Sequence, residues 1–98
     1  MQQVYSGFIT ANQGFNSPEP FDGPVGWTVF KMSQSEIFEI THNLNLKKPH
    51  NLHVVATASK AMVIANVEKV TANTFTISIW THAGAPAIAD VNFVAVQS

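Results

Sequence analysis

Cysteine and arginine are both absent from this 98-residue chain, and charged residues make up only 11% of it. Without cysteine there is no disulfide and no thiolate metal site. Without arginine, and with a formal net charge of −1, no basic stripe exists to neutralise phosphates, so nucleic acid is not an expected partner. No apolar run approaches the roughly 18 residues of a membrane span. The start, Met1-Gln2-Gln3-Val4-Tyr5, carries neither the basic region nor the apolar stretch of a signal peptide. Asn-x-Ser/Thr acceptors are missing as well. These absences predict a soluble chain, with no membrane insertion and no secretory leader.

The length fits one domain, residues 1–98. A chain this small buries only about 60 to 65% of the surface that its unfolded form exposes, which leaves the core marginal. With no disulfide to compensate, oligomerisation is the remaining common route to stability, and more than one copy per particle is expected.

Apolar residues recur with period 2, the signature of strands with one buried face. Gln3–Thr10 reads as an edge strand, with Val4, Ser6, Phe8 and Thr10 alternating against Tyr5, Gly7 and Ile9. Ala11–Gly26 holds Pro18, Pro20 and Pro24 with three glycines and three Asn or Asp residues, a density of turn formers that predicts a long loop without regular structure. Trp27–Met32 and Glu36–Thr41 read as a hairpin around Ser33-Gln34-Ser35. Asn51–Ala58, Met62–Val70, Thr74–His82 and Ile88–Gln97 follow at a spacing of roughly 8 to 12 residues, the cadence of a sandwich or barrel. The compact turn Thr71-Ala72-Asn73-Thr74 predicts a hairpin of the two strands it joins, with the C-terminal strand alongside. No helical period is sustained. The expected fold is an all-β, antiparallel β-sandwich of about six strands.

In Thr74–His82 the residues Phe75, Ile77, Ile79 and Thr81 make one face, which leaves Trp80 and His82 on the wetter one. Trp80 either presents a recognition surface or covers the sandwich edge, and His82 either meets a ligand or caps the strand end. In Met62–Val70 the face made by Met62, Ile64, Asn66 and Glu68 is half apolar. Either both faces are partly buried within one copy, or Met62 and Ile64 pack on a neighbouring subunit; the small core favours the subunit interface. Phe93 belongs to the core and Trp27 to core or loop packing. Phe15 and Phe21, in the long loop, either tuck back as anchors or meet a partner.

Catalytic constellations are wanting. His50 and His53 are three apart, on opposite sides of an extended segment, and His42 and His82 lie elsewhere, so no metal site is expected. The carboxylates form no glycosidase-like pair. There is no nucleophile elbow, phosphate loop or dinucleotide fingerprint. The reading is a non-enzyme without cofactors.

Several pieces share an order: Val4-Tyr5-Ser6-Gly7, then Ile40-Thr41 with Leu46-Lys47-Lys48-Pro49, then Val63-Ile64-Ala65, Val70 and Phe75, Trp80-Thr81-His82, and Phe93 in the last strand. In that order the chain resembles the H-type lectin family of snail agglutinins and discoidin lectin domains. The resemblance implies a six-stranded sandwich, a homotrimer, and recognition of galactose- or N-acetylgalactosamine-type sugars by Trp80, His82 and the loop carboxylate Asp22. Met62 stands where the family has an arginine, and methionine cannot donate the forked hydrogen bonds that fix sugar hydroxyls.

Two functions are therefore expected. The first is a non-catalytic trimer on the surface of a virion or phage particle, made in the host cytoplasm. There it would bind capsid or tail proteins as a decoration or cement protein, or host-surface glycans as an adhesion protein. The alternative is a soluble lectin, cytoplasmic or released without a leader.

Overall fold

The computed structural model of the chain describes residues 2–31 and 35–98. Eight strands form: β1 (Gln3–Ile9), β2 (Glu19–Pro20), β3 (Thr28–Phe30), β4 (Ile37–Thr41), β5 (Leu52–Ala58), β6 (Val63–Val70), β7 (Thr74–Thr81) and β8 (Val91–Gln97). The only helical turn among the described residues is a 3₁₀ turn at Pro49–Asn51. The strands make two sheets, ordered β1-β8-β5 and β2-β3-β4-β7-β6, and every pairing is antiparallel.

The expected hairpins are present. Thr28 pairs with Thr41 in β3–β4, although the turn read at Ser33-Gln34-Ser35 lies largely outside the described residues. β6 pairs with β7 from Val63↔Thr81 to Val70↔Phe75, with a bulge between Val67 and Lys69. The Thr71 hydroxyl holds the turn by accepting the Thr74 N–H at 3.0 Å, while the Thr71 N–H donates to the Thr74 carbonyl at 2.8 Å.

Two expectations are corrected. The C-terminal strand does not lie beside β7. It starts at Val91 and runs between β1 and β5 in the other sheet, with Tyr5↔Ala95 and Val54↔Ala95 in register. Residues 83–90 carry the chain from one sheet to the other, a crossover that alternation within the strands does not encode. The second correction concerns the strand count among the described residues, eight rather than about six, because all seven segments read from the sequence form strands and the Pro-rich loop adds β2. Asn16 N–H donates to Lys31 O, and Lys31 N–H donates to Gly14 O, both at 2.8 Å. The loop is thereby folded back along the β3 side, and proline is tolerated there because β2 is an edge. Gly14 is obligatory: its φ is +74°, and a Cβ would meet the Val29 carbonyl oxygen at 2.5 Å.

The two sheets face each other across one core. Ile9, Val91, Phe93 and Ala95 come from the three-stranded sheet, and Val29, Phe38, Ile40, Phe75, Ile77 and Ile79 come from the five-stranded one; all are buried. Phe75 meets Phe93 edge-on at 5.4 Å, and Trp27 stacks on Phe93 at 6.0 Å. Such aromatic contacts add about 0.5 to 1.5 kcal/mol each beyond area burial. Of the two loop phenylalanines, Phe21 tucks back onto Phe93 at 5.8 Å. Phe15 stays partly exposed but covers the ammonium of Lys31 at 5.1 Å.

Two titratable side chains are sealed in among the described residues. Lys31 is 1% exposed; its Nζ donates to the Ala11 carbonyl at 3.1 Å and lies 4.9 Å from the Phe38 ring. Burial lowers its pKa, against the nearby charge of Glu36. His42 is 3% exposed and lies between Trp27 and Phe75. Its Nδ1 accepts the Leu44 N–H at 3.0 Å, so the neutral ring carries its proton on Nε2. That atom has no hydrogen-bond partner among the described residues. Burial pulls the pKa of His42 down, and the Thr71 and Thr74 backbone opposes this only in part.

Candidate functional site

Three open regions of the surface carry the residues that chemistry could use. The first holds two of the residues singled out in the sequence. Met62 and His82 meet where β6 and β7 end: the His82 N–H donates to the Met62 carbonyl at 3.3 Å, and Lys60, Val63, Thr81 and Ala87 complete a mostly apolar groove of about 440 Å³. The His82 side chain is exposed and forms no hydrogen bond among the described residues, so at this position the backbone does the capping.

Met62 has a φ of +63°. This left-handed conformation costs an ordinary L-residue roughly 1 to 2 kcal/mol and is taken routinely only by Gly, Asn and Asp. Among the described residues the other three non-glycine residues with positive φ, Asn16, Asn43 and Asn45, obey that preference. Met62 does not, and its side chain is 70% exposed.

The second region is the outer face of the five-stranded sheet, and it decides the role of Trp80. Trp80 lies opposite Ile64 in the β6–β7 register, and its indole Nε1 donates to Ser78 Oγ at 2.7 Å. Ser78 points outward yet is fully buried, because the tryptophan lies over it along the strand. Trp80 is thus a cover for the sheet surface rather than a ring held out on a loop rim. Around it stand Ile64, 48% exposed, and Ile37, 38% exposed, which is paired with Ser78 in β4. A shallow hollow of about 210 Å³, lined by Phe30, Ser35, Ile37, Glu39 and Thr76, continues this face. β6 ends one sheet and β5 ends the other, and these two strands lie against each other at the side of the sandwich. On the opposite side the loop closes over β1, with the Phe8 N–H donating to the Asp22 carbonyl at 2.7 Å.

The third region lies there, on the outer face of the three-stranded sheet. Ser6, Phe8, Asp22, Asn92 and Val94 line an open groove of about 450 Å³ together with the backbone of Gly7, Gly23 and Phe93. Asp22 is therefore not part of a site with Trp80 and His82. It lines one groove while His82 lines another, and the trio that the lectin resemblance implies is not brought together. Ser6, Phe8 and Asn92 were missed by sequence reasoning. The alternation in Gln3–Thr10 puts Ser6 and Phe8 on one face, but nothing local ties them to Asn92 or Asp22.

The four histidines are dispersed. His42 is in the core, His50 in the 3₁₀ turn, His53 on the outer face of β5 and His82 at the end of β7. Among the described residues no group of three or more His, Cys, Asp or Glu residues is placed to hold a metal ion, and no helix is long and apolar enough to cross a membrane. Comparison of the chain with protein-family models, with curated proteins and with solved structures finds no match in any of the three.

Proposed function

We propose that the chain is a non-catalytic assembly module, whose copies join through the surface around Met62, Ile64 and Trp80. Met62 carries the reading. An exposed methionine in a left-handed conformation lowers the stability of the isolated chain, and burial against a neighbour offsets that strain. Ile64 and Ile37 extend the apolar surface, and β6, the last strand of its sheet, runs alongside it.

The occupant of this surface is a second copy of the chain, in a trimer of the kind the lectin resemblance implies. Its place is the surface of a larger particle such as a virion, with a decorating or adhesive role, a reading motivated by Met62 standing where the lectin resemblance has an arginine. Mass in solution tests the core of the proposal. A chain that stays monomeric at about 100 µM sinks it, because an assembly unit of this class must associate at working concentration. Co-sedimentation with purified particles tests the second half.

A further inference from the structure

Among the described residues four strands end the two sheets, and three of these edges are closed to pairing. β5 and β6 lie against each other. β2 consists of Glu19 and Pro20, and charge and proline are what keep an edge from templating another strand. β1 is the fourth. Its residues Gln3-Val4-Tyr5-Ser6-Gly7-Phe8-Ile9 include neither a charge nor a proline, and it pairs with β8 without a bulge from Gln3↔Gln97 to Ile9↔Val91.

Register tells which backbone groups this edge leaves open. The Phe8 N–H donates to the Asp22 carbonyl at 2.7 Å, so it points away from β8. In an antiparallel strand the N–H and C=O of one residue point to the same side, and successive residues point to opposite sides. Val4 and Ser6 therefore face outward with Phe8, whereas Gln3, Tyr5, Gly7 and Ile9 face β8. Both outward residues are exposed, and nothing among the described residues pairs with the N–H or C=O of either. The long loop closes the edge from Gly7 onward, where Phe21 packs and Asp22 takes the Phe8 N–H.

We propose that β1 is a second joint, at which two copies of the chain pair edge to edge, antiparallel, about a two-fold axis at Tyr5. With Val4 opposite Ser6 of the second copy, every open N–H and C=O of these residues finds a partner across the axis, and Tyr5 faces Tyr5 of the second copy in the close, non-hydrogen-bonded position. The pairing runs from Gln3 to Gly7. A slip of two residues one way would set Val4 against Phe8, whose N–H is already given to Asp22; a slip the other way would set Ser6 against Gln2, outside the strand.

The second copy is favoured as occupant by charge and by shape. An edge without charge has no group with which to select a charged segment of another protein. On the outer face Val4, Val94 and Val55 are exposed, with Val94 paired to Ser6 on one side and Val55 on the other. The two-fold places the two Val4 side chains diagonally on that face, about 7 to 8 Å apart, so the valine stripe continues across the joint. β1 lies on the side of its sheet away from β5, and the joint stands without the assembly proposed through Met62. Where both operate, a two-fold joint links trimers to one another, which an interface that closes a ring does not do.

The test uses the full chain with Met62→Asn, which weakens association through the other surface. A joint of one short strand lies at the weak end of interfaces, with a Kd of about 100 µM. On that value the Val4 and Ser6 amides should exchange with solvent about threefold more slowly at about 1 mM than at about 50 µM, read by NMR. In a mixture of isotope-labelled and unlabelled chain, an NOE between the Tyr5 Hα atoms of two copies should report the register. Ser6→Pro removes an N–H that no bond to β8 uses, and Val4→Lys changes an exposed side chain without touching the backbone; each should raise the Kd at least about tenfold. Equal exchange at both concentrations overturns the inference and leaves the edge to a strand of another protein. So does association that survives both substitutions, or protection of Val4 and Ser6 without the Tyr5 contact. A chain that assembles through Met62 while β1 stays unprotected sinks this joint alone.

Discussion

Met62→Asn separates the stability of the chain from its assembly, and the two should move in opposite directions. In the single chain the substitution removes a left-handed methionine and installs a residue that takes this conformation readily, a gain of about 1 kcal/mol. Little packing is lost, because Met62 is 70% exposed. For a chain of 98 residues, 1 kcal/mol corresponds to a rise in Tm of about 4 to 8 °C. In the assembly, burying a methionine is worth about 1.5 to 3 kcal/mol. Since the part still exposed in the single chain is what association removes from water, the variant should associate about tenfold more weakly per interface.

Calorimetry of both proteins between about 1 and 100 µM reads both effects, because linkage makes the wild-type Tm rise with concentration when the folded state assembles. At the lowest concentration the variant should melt higher, and at the highest the difference should shrink or reverse. Sedimentation should show the shift in mass directly. A variant that assembles as well as the wild type refutes the interface. One that melts lower at every concentration refutes the strain argument.

Gly14→Ala should destabilise by about 3 kcal/mol or more in chemical denaturation, since the residue has positive φ and its Cβ would strike a backbone oxygen; a change under 1 kcal/mol would show that the loop is not pinned to Lys31. Trp80→Ala, followed by circular dichroism, should cost about 2 kcal/mol, because it uncovers Ser78 and deletes its hydrogen bond; a change within about 0.5 kcal/mol would mark an uncommitted ring. His42 sets an acid limit. Its folded pKa lies below the ordinary 6.5, so the unfolded chain takes up the proton first and stability is complete above about pH 6.5. As pH falls below that, stability should drop by at most about 1.4 kcal/mol per unit, until the folded ring also protonates. His42→Gln should flatten this segment of the stability profile, and an unchanged slope would mean that His42 does not titrate with unfolding.

The strands were legible because period 2 is a local signal: Phe75, Ile77 and Ile79 turn inward as their alternation requires. The hairpins were legible because short turns leave the chain few alternatives, as at Thr71–Asn73. The partner of β8 was not. Its inward residues Val91, Phe93 and Ala95 would suit either sheet, and its choice of β1 and β5 is made by crossover residues that carry no period. β2 was hidden for a different reason. Proline and glycine density marks a segment that turns often, but the hydrogen bonds from the Lys31 N–H to the Gly14 carbonyl and from the Asn16 N–H to the Lys31 carbonyl decide whether it lies ordered along an edge.

The candidate sites divide along the same line. Met62 and Ile64 could be singled out because they break the polar side of an alternating strand, a defect visible within a few residues. What the sequence could not display was the backbone angle that makes Met62 costly, and this is the stronger argument. Trp80 could not be decided by the same local logic. Outward on a strand leaves both a recognition surface and a cover open, and the indole folds down onto Ser78, two residues earlier on its own face. The groove of Asp22, Phe8 and Asn92 had no local signal at all. Its three members come from a loop, the first strand and the last strand, and only the register of β1 between the loop and β8 makes them neighbours. A polar side chain in a strand pattern reads as solvated until register supplies its company.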